Sequence, residues 1–289
     1  MAAAADDWTE GRWTAPDGTS LFYRDYPGDP AVLPLLCLHG LTRNARDSAG
    51  LAAREAPGRR VIALDFRGRG ESAHARDPMR YVPLTYAEDV EGLVAALGLG
   101  RIAIVGTSLG GIVAMLLAAR RIVALAGVVL NDIGPVLDPA GIARIRGYVG
   151  RSGGWPTWLH AARQLAETHG TFFPDYGLDD WIGMAKRLCR LTPAGRIVLD
   201  YDPRIAEPFR APEADTAADL WPLAEALRDL PVLLVRGALS DILAEATARE
   251  MAARLPRLET VTIPRIGHAP TLDEPPAAAA IAGFLARLQ

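Results

Sequence analysis

Apolar and polar positions along this chain follow two rhythms. The opening segment predicts a hairpin: a strand over residues 8–14, a turn at Asp17-Gly18, and a second strand over 20–26. Asp-Gly supplies the positive φ angles that a tight hairpin turn needs. From there, short apolar runs alternate with longer helix-forming ones. Residues 32–38, 60–65, 101–105 and 126–130 predict strands, while 45–56, 85–97 and 112–120 predict helices, the last rich in Ala, Leu and Met. Strands with few polar positions, separated by helices, imply a parallel sheet covered on both faces.

From about residue 133 to 230 the alternation stops, and the chain becomes helical, proline-punctuated and aromatic. This is where an insertion belongs. It holds Trp155, Trp158, Trp181 and Trp221, together with Phe172, Phe173, Tyr176 and Tyr201. Most of these rings are expected to form the insertion's own small core, with some left to face a site on the sheet. The alternation then resumes, with strands over 231–236 and 258–263 and helices over 244–255 and 276–288.

Composition narrows the class. At 289 residues, half of them hydrophobic and 22% charged, the chain has the length and balance of one globular α/β domain carrying an insertion. A net charge of −3 gives no general field for nucleic acid or an anionic membrane surface, so neither is expected as a partner. Residues 1–10 carry Asp6 and Asp7 and no basic start, which makes a poor signal peptide, and no apolar stretch approaches the ~18 residues of a membrane span. The expectation is a soluble cytoplasmic protein. Cys37 and Cys189 are the only cysteines, too few for a disulfide framework or a zinc cluster, and no metal is expected.

The most informative chemistry is Gly106-Thr107-Ser108-Leu109-Gly110, a G-x-S-x-G sequence between a predicted strand and a predicted helix. A serine on so sharp a turn is lifted out of the sheet next to unpaired helix N–H groups, and small neighbours relieve the crowding. Such a hydroxyl needs an adjacent base, itself oriented by a third group. His268, in Gly267-His268-Ala269-Pro270, follows the strand that ends near Ile263 and is the expected base. His74, His160 and His169 sit in loop or insertion contexts where a solvated or locally bonded ring is the ordinary reading. Two aspartates can supply the orienting acid. Asp241, after the 232–236 strand, is placed first because it completes the chain order Ser, Asp, His; Asp132, after the 126–130 strand, is the fallback.

These residues, with Leu38-His39-Gly40-Leu41 and the segment Asp65-Phe66-Arg67-Gly68-Arg69-Gly70-Glu71-Ser72, resemble the α/β-hydrolase fold family over nearly the whole chain. The resemblance implies a mostly parallel eight-stranded sheet with helices on both faces and a helical cap, the core being residues 1–133 and 222–289 and the cap 134–221. It also implies that backbone N–H groups of Leu41 and Leu109 form an oxyanion hole. Gly68-Arg69-Gly70 lacks the third glycine of a dinucleotide fingerprint, and no cofactor is expected. Serine at position 108 separates the chain from the dehalogenases and epoxide hydrolases that carry aspartate there.

The expected activity is hydrolysis of a carboxylic ester or lactone of a small, largely apolar molecule. C–C bond hydrolysis, enol-lactone hydrolysis, acyl transfer by the same residues, and a small-molecule receptor without turnover are the alternatives. His39, Arg43, Asn44, Trp155, Trp158 and Trp181 are the candidate substrate contacts, His39 being also a candidate brace for its loop. Monomer and dimer are both open.

Overall fold

A computed structural model describes residues 7–151, 153–210 and 219–288. The reading of residues 1–10 as a poor signal peptide therefore falls partly outside the described residues. The predicted alternation is present. In chain order, the core runs β1 (Thr9–Thr14), β2 (Ser20–Tyr26), β3 (Leu35–Leu38), α1 (Ala49–Glu55), β4 (Val61–Leu64), α2 (Pro83–Ala96), β5 (Arg101–Thr107), α3 (Leu109–Arg120) and β6 (Ala124–Asn131). The inserted stretch contributes α4 (Pro139–Tyr148), α5 (Trp158–His169), α6 (Leu178–Leu188), β7 (Cys189–Leu191), β8 (Ile197–Leu199) and α7 (Glu207–Arg210). The chain returns through α8 (Trp221–Glu225) to β9 (Val232–Gly237), α9 (Glu245–Arg254), β10 (Leu258–Ile263) and α10 (Pro275–Ala286).

Eight strands form one sheet in the order β1-β2-β4-β3-β5-β6-β9-β10, and β2 pairs antiparallel with both its neighbours while the other pairings are parallel. The central strands are apolar along their middles because both faces are covered, with Arg101, Thr107 and Asn131 at strand ends. Leu36, Leu38, Ile102, Ile104, Val128 and Leu130 point into one buried cluster with α2 and α3, and Leu35, Cys37, Ala103, Val105 and Val129 point into the other with α1 and α10. Burial pushes the Cys37 thiol up to about 12, which leaves it a small hydrophobe at physiological pH. The insertion is less uniformly helical than its sequence predicts. Its β7–β8 hairpin, paired Cys189 to Leu199, is too short to register as an alternating run.

Candidate active site

Ser108 is the single residue between β5 and α3, at φ 51° and ψ −114°. That conformation costs a non-glycine residue about 1–3 kcal/mol, and the surroundings must hold it. The Ser108 N–H donates to the Asn131 carbonyl at 3.0 Å, and the Ser108 carbonyl accepts from Gly111 and Ile112 at 2.9 and 3.2 Å. The glycines on either side permit the closure. A Cβ on Gly106 would lie 2.5 Å from the Gly110 carbonyl oxygen, and one on Gly110 would lie 2.1 Å from that of Leu38. Gly110→Ala is accordingly expected to cost at least about 1–3 kcal/mol, since backbone on both sides must move; a urea midpoint equal to wild type would contradict this.

The loop beyond β10 carries His268 back to the serine. His268 Nε2 lies 2.9 Å from Ser108 Oγ, and Nδ1 lies 2.9 Å from Oδ2 of Asp132. Asp132 follows β6 directly at φ 56°, and its N–H donates to Val235 at 2.8 Å. Its Oδ1 accepts the Gly237 N–H at 2.8 Å, so the fully buried carboxylate bonds with both oxygens. An acceptor on Nδ1 selects the tautomer whose Nε2 lone pair faces the serine hydroxyl, the arrangement a general base requires.

The fallback aspartate thus occupies the place expected for Asp241. Asp241 lies farther along the loop beyond β9, and Arg144 on α4 grips both its oxygens, at 2.5 and 2.8 Å. The loop's backbone explains the difference. Ala238 and Leu239 bond to Ile263 and Ile266, which carries the chain over β10 and under the insertion, whereas Asp132 leaves β6 next to the serine strand with no intervening loop.

The loop after β3 is built to hold one peptide still. A Cβ on Gly40 would lie 3.7 Å from that of Ser108, so this loop runs against the serine. The Gly40 carbonyl and the Leu41 N–H belong to one planar peptide, and fixing the first orients the second. His39 Nδ1 lies 2.7 Å from the Gly40 oxygen, to which the Arg43 N–H also donates at 3.2 Å. His39 Nε2 accepts the Phe66 N–H at 3.0 Å, so the proton sits on Nδ1 and the ring is neutral. Burial pulls its pKa down to about 3. Arg69, buried against the Tyr81 and Tyr86 rings, donates to the Leu41 carbonyl at 2.9 Å. Asp65 accepts the N–H groups of Ala45 and Glu71 at 2.6 and 2.9 Å. The Asp65–Ser72 segment, which carries no chemistry that its sequence reveals, is therefore a brace for this loop.

A small chamber of ≈ 50 Å³ opens on Ser108 and His268, walled by the two loops and by Ile145, Tyr148, His169, Phe173, Met184 and Leu188 of the insertion. Beside it lies a cavity of ≈ 270 Å³ that shares Thr42, Tyr148, His169 and Leu188 with the first. The candidate contacts divide among these places. Arg43 lines the serine chamber while donating to both oxygens of Asp47 at 2.9 and 3.1 Å. Trp155 lines the larger cavity.

The other candidates have structural roles and do not line either cavity. His39 is the brace described above. Asn44 is buried, its Oδ1 capping the turn at Arg46 and its Nδ2 donating to the Arg187 carbonyl, both at 3.0 Å. Trp181 packs against Phe173 and Tyr176, and Trp158 against the same apolar cluster. Tyr148 and His169 form an edge-to-face pair at 5.5 Å on the wall between the cavities. Burial first, and then the Arg43 and Arg144 cations, hold His169 at a pKa of about 4, so the ring is neutral at pH 7. Neither residue carries a local signal, because what they face is set by the packing of α4 and α5.

Comparison with known proteins places the fold. Residues 35–281 match the model of the Alpha/beta hydrolase family. The 3-hydroxybutyrate-oligomer hydrolase of Cupriavidus necator is 36% identical over 256 residues, 86% of this chain and 86% of the relative. The 2-(acetamidomethylene)succinate hydrolase of Mesorhizobium japonicum is 26% identical over 243 residues, covering 81% of both chains. A crystal structure of an alpha/beta hydrolase from Novosphingobium aromaticivorans superposes with a TM-score of 0.93 at 50% identity, over 97% of this chain and 99% of that one. None of the described helices is long and apolar enough to cross a membrane. The match over most of the length, with Ser108 on a strand-to-helix elbow as that family's architecture requires, means that the chain belongs to the alpha/beta hydrolase family and is a hydrolase.

Proposed function

We propose that the protein cleaves a carboxylic ester through an acyl-enzyme formed on Ser108. The observation that carries this reading is the line of hydrogen bonds from Ser108 Oγ through His268 to Asp132, opening on a chamber. His268 Nε2 takes the hydroxyl proton as Oγ adds to the ester carbonyl, and Asp132 steadies the imidazolium that forms. The backbone N–H groups of Leu41 and Leu109 receive the oxyanion; Leu109 begins α3, where N–H groups have no intrahelical partner and the helix end is positive. His268 then gives its proton to the departing alkoxide, and a water activated by the same ring releases the acid.

The name of the Cupriavidus relative favours an ester over the alternatives, because the units of a hydroxy-acid oligomer are joined by ester bonds. Residues 134–221 act in this reading as a cap, whose Ile145, Phe173, Met184 and Leu188 give the chamber an apolar wall. The test is steady-state hydrolysis of p-nitrophenyl esters of increasing acyl length, with lactones alongside. Turnover that peaks at short acyl chains is expected; no turnover of any ester or lactone would refute the proposal.

His39 gives a sharper check on the oxyanion assignment. His39→Ala frees the Gly40–Leu41 peptide without touching substrate, so kcat should fall about 10–100-fold, below the ~10²–10³ of losing a donor outright, with KM little changed. The same residue makes folding sensitive to acid. An unfolded histidine protonates near 6.5 and this one only near 3, so the unfolded state binds the extra proton first and stability declines as pH falls through that window. Urea midpoints measured from pH 7 to 4 should show a shallower decline in His39→Ala than in wild type.

A further inference from the structure

We propose that the larger cavity is a second substrate subsite, which takes the remote, carboxylate-bearing end of an elongated ester while the scissile carbonyl sits at Ser108. The inference rests on the ester reading above and adds the chemical class of substrate. Three observations carry it. First, the serine chamber, ≈ 50 Å³, has room for only a few water-sized groups at about 10–15 Å³ each, enough for the reacting carbonyl and its nearest atoms. A substrate of any length must extend elsewhere.

Second, the ≈ 270 Å³ cavity shares a wall with that chamber, formed by Thr42, Tyr148, His169 and Leu188. Two of these are the edge-to-face rings Tyr148 and His169, which belong to α4 and α5 and not to the sheet or the elbow, so the boundary between the two spaces is made of side chains of the inserted stretch. Third, the larger cavity has a definite charge character. Its lining contains no aspartate or glutamate, and Arg151 is its one charged group, His169 being neutral. Among the described residues no acidic side chain pairs with the Arg151 guanidinium, whereas Arg43 and Arg144, which flank the serine side, are held by Asp47 and Asp241. Gln164 and Thr168 add polar groups along walls otherwise made by Trp155, Leu165, Leu199 and Tyr201. Such a lining suits an alkyl ester chain that ends in an anion.

The experiment compares kcat/KM for a linear hydroxy-acid dimer as the free carboxylate, for its methyl ester, and for p-nitrophenyl acetate. Wild type should prefer the free carboxylate over the methyl ester by at least about tenfold at low salt, the size of one charge-assisted contact. Arg151→Gln should erase that preference and Arg151→Glu should invert it. Leu165→Trp, which fills the cavity, should lower the ratio of dimer to acetate turnover, the acetate rate serving as the check that the variant is folded. Acetate turnover with a carboxylate-to-methyl-ester ratio that none of these variants changes would overturn the subsite while leaving the ester reading intact. Absence of turnover with all three compounds would overturn both.

Discussion

Replacing Ser108 by alanine is expected to lower kcat by about 10⁶-fold, the scale seen when the nucleophile of such a relay is removed. The hydroxyl oxygen is the atom that bonds to the acyl carbon, and of the hydroxyls that line the chamber, those of Thr42, Thr107, Ser108 and Tyr148, it is Ser108 Oγ that meets His268 Nε2; Cys37 and Cys189 lie outside the chamber, and burial pushes their thiols up to about 12. A residue of about 10³-fold over water should persist, because the oxyanion N–H groups and the shape of the chamber remain. The variant should fold as wild type does. Alanine meets the same strain at φ 51° that serine does, and the bonds that hold position 108 are made by its backbone. Steady-state rates, with thermal unfolding on the same preparations, check both halves. Wild-type binding without turnover would instead identify a receptor, and full activity in Ser108→Ala would end the acyl-enzyme mechanism.

Asp132→Asn should lower kcat by about 10⁴-fold, while Asp241→Asn should leave it within a few-fold. The reason lies in what the two oxygens of Asp132 accept. Oδ1 takes the Gly237 N–H and Oδ2 takes the proton on His268 Nδ1. An asparagine has one acceptor and one donor end. With its oxygen toward Gly237, the amide NH₂ faces His268 and forces the proton onto Nε2, so the ring cannot take the serine's proton. With the amide reversed, two N–H donors confront each other in a buried site, which costs about 1–3 kcal/mol. The first arrangement removes the base, and the second, which would keep it, is disfavoured by that cost.

Asp241, by contrast, pairs with Arg144 in a partly exposed setting, both side chains about one-fifth exposed, where such a pair contributes at most about 1 kcal/mol. Its loss should appear in stability and in the position of α4, with little change in rate. Measuring both variants with one short ester decides between the aspartates, and equal large losses would show that the Arg144 pair is also needed to close the chamber.

Features whose physics is local can be read from the amino-acid order. A G-x-S-x-G run between a strand-forming and a helix-forming stretch points to the elbow, because the crowding among Gly106, Ser108 and Gly110 arises within one turn and against the neighbouring strand. The double-sided burial of β3, β5 and β6 likewise requires only that consecutive positions along the middle of each strand be apolar. Those features, and the place of His268 just past the last strand, were legible before any coordinates.

Tertiary structure decided the rest. Both aspartates satisfy the order Ser, Asp, His, so chain order could not separate them. The choice depended on a positive-φ turn at Asp132 and on an arginine that reaches Asp241 from another element, 97 residues away in the chain. His39 looks like a candidate for chemistry until its partners show that, with Arg69, it holds a single peptide in place. The inserted stretch is the least legible part. Its aromatic composition says that rings pack there, but which ring walls a cavity and which fills a core follows from how α4, α5 and α6 cross, and many arrangements of amphipathic helices bury similar area. Tyr148, His169 and Arg151 acquire their meaning from that packing alone.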